Sequence, residues 1–247
     1  MDFPKQLDEF GKDWVFENLE IIFTIGTPML LTHPFIALDS LLLHLYAKEF
    51  YQKNFNLLPS NKILRDDLFP PQLKIPIKKD VATGLYHCSF SIFDEKITLL
   101  PRFHHIRRRF EDRYLHLMKK VKKIGINKGT LKNYDMKIVQ ISPKTVRFYC
   151  VGVKTIIDHL LSKLEGLGKK VNTGNGTILN YEIHSCKKDH SWVKDGISQR
   201  PIPVRYLMST SRQVPMTWVP PYWARDMIEV CAPPNANITF QPGVLCT

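Results

Sequence analysis

Four of the chain's 12 glycines, Gly166, Gly168, Gly174 and Gly176, fall within eleven positions in the stretch GLGKKVNTGNGTI, with Lys169 and Lys170 between them. Glycine gives up more backbone entropy on folding than any other residue, so a cluster marks positive-φ turns or a close backbone approach. Backbone N–H groups bared by glycine, with lysine charges beside them, can cradle phosphate oxygens. The stretch is not a Walker A loop, because Gly168-Lys169 is followed by Lys170. Nor is it a dinucleotide fingerprint, because neither G-L-G nor G-N-G is completed by a third glycine. A helix cap followed by an Asn-Gly hairpin turn would use the same residues without a ligand. Spacing alone leaves both readings open.

A second group is basic. Arg102 to Lys128 holds ten Lys and Arg against two acids, so +8 of the chain's net +12 lies there. Arg107, Arg108 and Arg109 are consecutive, and Lys119, Lys120, Lys122, Lys123 and Lys128 follow. Clustered cations repel one another unless an anion is near, which favours a phosphate-binding arm over a solvated helix face. In the tail, Trp218, Tyr222 and Trp223 surround two prolines beside Arg225. Such rings either stack unpaired bases or pin the tail to a core, and the second is the commoner use of Trp.

His33, His44, His104, His105 and His184 raise acid–base cleavage of RNA, and His33, at a helix start, is the best placed. No second group is spaced to serve as its partner. No H-x-E, H-x-x-x-H or Cys cluster suggests a metal, and no cofactor motif is present.

Positioning these residues requires a strand at Leu19–Ile25, where alternate residues are apolar, then a buried helix after Thr32 and Pro34. Residues 53–79, with four prolines, read as an irregular insertion. LYHCSFSIF and KITLLPRFHHI read as a hairpin through Asp94-Glu95, and Arg107 to Lys123 as an amphipathic helix. One or two strands span 134–153. A short helix follows with Gly166 in its C′ position, then the glycine loop and a strand at TILNYEIHSC. This order predicts an α+β chain with a ferredoxin-like (RRM-like) βαββαβ core. Residues 1–186 would form the core, with 102–133 as a basic thumb and 187–247 as an extension on or beside it.

The five cysteines lack C-x-x-C spacing and read as reduced thiols of a cytoplasmic protein. The start, MDFPKQLDEF, is not a signal peptide, and the apolar run at Phe35 to Ala47 is too short to span a bilayer. A pI near 9.5 implies a polyanionic partner.

Taken in order, His33-Pro34 with Leu38-Asp39-Ser40-Leu41-Leu42, KGTLKNYDM, YCVG and LGKKVNTGNGTI resemble the RAMP superfamily of CRISPR-associated proteins. More narrowly they resemble the 5′-handle-binding subunit of type IV effector complexes. The resemblance covers residues 19 to 186. It implies a guide-RNA cap that contacts backbone and large subunits and meets target DNA only indirectly. It also implies that the glycines shape an RNA-facing turn. The alternative is a metal-independent repeat endoribonuclease with His33 as the catalytic residue, from a RAMP family that shares the loop.

Overall fold

A computed structural model describes residues 14–52, 55, 75–93, 102–111, 132–222 and 224–244. Lys119, Lys120, Lys122, Lys123, Lys128 and Trp223 lie outside them, as does most of the 53–79 insertion. The elements before the tail are β1 (Glu17–Ile25), β2 (Met29–Leu31), α1 (Leu38–Tyr51), β3 (Ile92–Phe93), β4 (Arg102–Arg108), β5 (Tyr134–Ile141), β6 (Thr145–Gly152), α2 (Lys154–Leu161) and β7 (Ile178–Ser185).

β1 alternates as its apolar pattern predicts, burying Leu19, Ile21, Phe23 and Ile25. It pairs antiparallel with β6 and β7 in a four-stranded sheet of order β3-β6-β1-β7. Leu38, Leu42 and Leu45 of α1 and Ile157 and Leu160 of α2 join Phe23 and Phe148 of the sheet in one core. The mixture of two helices with antiparallel strands is α+β. Among the described residues no helix is long and apolar enough to cross a membrane.

Four expectations are corrected. α1 begins at Leu38, not after Thr32, and Ala37 precedes it without a side-chain cap. Ile36 and Ala37 stay extended because the Ile36 amide donates to Ser91 Oγ at 2.9 Å and Ala37 bridges Phe90. Tertiary pairing here outweighs a local Thr cap. The expected hairpin through Asp94-Glu95 falls on residues outside the described ones; on either side of it, β3 pairs with β6, whereas β4 pairs with β5 in a separate sheet of order β2-β5-β4. β4, almost wholly exposed, has no apolar face to offer the core. Arg107 and Arg108 therefore sit on a strand rather than a helix, because their register with Asp135 and Tyr134 extends the ladder. Gly166 is not the C′ residue of α2, which ends at Leu161 with Ser162 capping it. Gly166 instead bridges Thr177. Residues 75–79, expected within the irregular insertion, also belong to the core: Ile75 and Ile77 are buried and Ile77 bridges Gly152.

The run 134–153 resolves into two strands that do not pair with each other. β5 joins the outer sheet and β6 the central one, with Ser142-Pro143-Lys144 as the hand-over.

The tail forms short strands between residues 193 and 240 around a second core, where Leu85 meets Trp192, Ile202, Val219 and Ile238. A buried polar cluster ties it to α1. Asp39 and Arg200 are both fully buried, 3.4 Å apart, and the Tyr222 hydroxyl donates to Asp39 Oδ2 at 2.8 Å. Arg200 also donates to the carbonyls of Tyr86, Cys88 and Trp218. Burial alone would lower the Arg200 pKa, but Tyr222, Cys88 and Asp39 hold it above the ordinary arginine value. Tyr222 is thus spent on the junction between tail and core.

Candidate nucleic-acid interface

The residues after β2, the exposed side of α1 and the glycine loop enclose a groove of about 530 Å³. Its floor is apolar, with Leu41 and Leu45 from α1 and Leu164 and Leu167 from the loop. Its rim carries His33, His44, Lys48, Lys163 and Lys169. His33 and the loop lysine, far apart in sequence, face the same space. Lys48 and Lys163 were not singled out from sequence, and only the position of Lys48 one turn from His44 on the outer side of α1 could have suggested it.

The rim groups differ in state. The Lys163 ammonium donates to Glu49 Oε1 at 2.6 Å and lies 2.9 Å from His159 Nε2, so part of its charge is compensated. His44 meets Phe55 edge-on at 5.2 Å. Desolvation in the groove, then the neighbouring Lys48 charge, hold its pKa below the ordinary imidazole value.

The glycine loop is clamped onto the fold. The Leu167 amide donates to Gly176 O at 2.8 Å, Lys169 to Leu30 O at 2.8 Å and Gly176 to Pro28 O at 2.9 Å. Those amides are turned inward, so they cannot cradle a phosphate. What the glycines supply is close approach. Gly176 has φ +64° and a Cβ there would overlap the Leu167 carbonyl, while at Gly168 (φ +96°) it would lie 2.7 Å from Leu30 O. Lys170 also has positive φ, and Gly174 ends the short turn that follows it. Both lysines remain exposed. The loop is therefore a structural turn that presents cations.

Beside it, β4 and β5 form a ribbon. The Arg107 guanidinium donates to Asp135 Oδ2 at 2.8 Å, and His105 Nδ1 lies 3.3 Å from Asp135 Oδ1. Desolvation works to raise the Asp135 pKa, but those two groups outweigh it and hold the carboxyl below its ordinary value. Arg108 and Arg109 are exposed at the outer end of β4, where the Phe110 amide donates to Asn133 Oδ1 at 2.7 Å. Groove and ribbon meet at β2, where Leu30 pairs with Gln140 of β5 and bridges Lys169 of the loop.

A family model described as CRISPR type IV associated protein Csf3 matches residues 104–233, just over half of the chain. The match starts in β4, takes in the glycine loop and extends into the tail as far as Pro233, a stretch the sequence resemblance does not reach. No curated protein matches the chain.

Proposed function

The chain belongs to the type IV CRISPR-associated Csf3 family, and on that premise we propose that it binds guide RNA and caps its 5′ handle. Family membership implies a subunit of a type IV CRISPR complex. The finer role is carried by one observation: His33, Lys48, Lys163 and Lys169 converge on a single groove with an apolar floor. Such a groove suits a nucleotide whose base meets leucines while its phosphates meet ammonium groups. The sheet order β3-β6-β1-β7, with a helix after β1 and another after β6, supports reading the core as ferredoxin-like. In this reading residues 1–186 are the RNA-binding core and 187–247 a C-terminal module. Backbone and large subunits are its protein partners, and the ribbon cations add contacts along the strand.

The test is the RNA retained by natively purified protein. Short species sharing one uniform 5′ handle are expected, and their loss from Lys48→Ala/Lys169→Ala protein places them in the groove. Heterogeneous RNA without a common 5′ end would reject the capping role.

A second reading, a metal-independent endoribonuclease, draws on His33 and His44 lining the same groove. Among the described residues no hydrogen bond joins them. Binding ground state and transition state equally well gives affinity without rate. Repeat RNA should therefore stay intact in chelator. Cleavage at one bond that His33→Ala abolishes would make this chain the processing enzyme.

A further inference from the structure

The ribbon carries a feature that its charge does not explain. Phe103, His105 and Arg107 alternate onto one face of β4, opposite Val139, Lys137 and Asp135 of β5. Phe103 is 52% exposed, and the Lys137 ammonium lies 4.0 Å from its ring centroid. Met136, 44% exposed, lies on the reverse face. Phe103 lies where β2, β5 and β4 pair side by side, yet neither it nor Met136 belongs to either hydrophobic core. The exposed Phe103 ring suits a partner that is flat and apolar. The ribbon's charge narrows the choice: residues 102–109 and 132–137 hold six Lys and Arg against Asp135 alone. A partner that combines flat apolar faces with anionic links is single-stranded nucleic acid, which binds proteins by base–aromatic stacking beside a cationic track.

We propose that this face is a second contact for unpaired RNA, in which Phe103 stacks on one base and Lys137 holds an adjoining phosphate. Asp135 aligns Arg107 and His105 along the strand and offsets part of the Arg107 charge, so stacking carries a larger share of the contact. The proposal rests on the guide-RNA reading and deepens it, since there the ribbon contributes only its cations and no base contact.

The experiment uses the full-length protein and two fluorescein-labelled probes, a 12-nucleotide oligouridylate and an abasic ribose-phosphate oligomer of equal length. Base–aromatic stacking corresponds to a change of about fivefold or more in affinity. Wild type should prefer oligouridylate to the abasic probe by that factor. Phe103→Ala should remove the preference, Phe103→Trp should keep it, and Phe103→Leu, apolar but without a π-face, should lose it. Lys137→Ala should lower the slope of log affinity against log salt by about 0.7, one phosphate's worth on a single strand. Phe103→Ala should leave that slope unchanged. Phe103→Ala or Phe103→Leu binding like wild type would overturn the proposal. So would a Phe103→Ala protein that keeps its RNA but loses a co-purifying subunit, since the face would then belong to a protein partner. If wild type binds neither probe, the guide-RNA reading itself fails, a result separable from a selective loss of stacking.

Discussion

Replacing Asp39 by Asn isolates what the buried pair contributes. The change keeps the shape and removes one charge, leaving the Arg200 guanidinium fully buried with only neutral partners, the carbonyls of Tyr86, Cys88 and Trp218 and the Tyr222 hydroxyl. Breaking a buried ion pair from one side costs about 3–5 kcal/mol. Asn can still accept from Tyr222, which now contacts Asp39 at 2.8 Å, so the lower end of about 3 kcal/mol is expected. For a chain of this size that corresponds to a fall in Tm of about 6–12 °C. Differential scanning calorimetry of wild type, Asp39→Asn, Arg200→Met and the double variant measures it. Because Arg200→Met removes the stranded charge, the double variant should recover at least about 1 kcal/mol relative to the sum of the singles. A single Asp39→Asn within about 0.5 kcal/mol of wild type, the range of an ordinary surface change, would refute the reasoning. Strict additivity would refute it equally.

Gly176→Ala should destabilise the fold markedly in thermal melts, because its Cβ overlaps the Leu167 carbonyl at positive φ, whereas Gly174→Ala, with open space around it, should cost far less. Lys48→Ala/Lys169→Ala should leave Tm nearly unchanged but reduce the salt slope of RNA binding by about 1.4, two single-strand phosphates. Burial works to raise the Asp189 pKa, but the His87 ring at 2.8 Å and the Ser191 donors outweigh it and hold the carboxyl below its ordinary value. A depressed carboxyl adds stability above its unfolded pKa and loses it as pH falls through the folded one. Acid titration of Asp189→Asn should therefore show a shallower loss of stability than wild type below about pH 4.

The central strands and α2 could be read directly because their apolar residues repeat with the period of their structure. β1 is the clearest case, with every second residue buried from Leu19 to Ile25. β4 could not be read so, because RFHHIRR carries a single apolar residue on each face, Phe103 and Ile106, and its cations look the same on a helix. Only the partner strand, some 30 residues later, decides its conformation. The site was half legible. The glycines announced a turn that only glycine can make, but not which way its amides point, since Leu30 and Pro28 that accept from them belong to another part of the chain. Arg200 was invisible for a related reason: an arginine reads as surface until its carboxylate, here 161 residues away, is known.

β2 is three residues long, yet it is clasped by the ribbon on one edge and by the glycine loop on the other. The two proposed RNA contacts are therefore footholds on one strut. A strand that has gripped the groove presents its next nucleotides to Phe103 at a raised effective concentration, and the second grip becomes intramolecular. Linked contacts of this kind can exceed either affinity by about 10²–10⁴-fold without any new interaction. Affinity should then climb in a step, not a slope, as an RNA grows long enough to span both footholds, and very short oligonucleotides will understate what a full guide experiences.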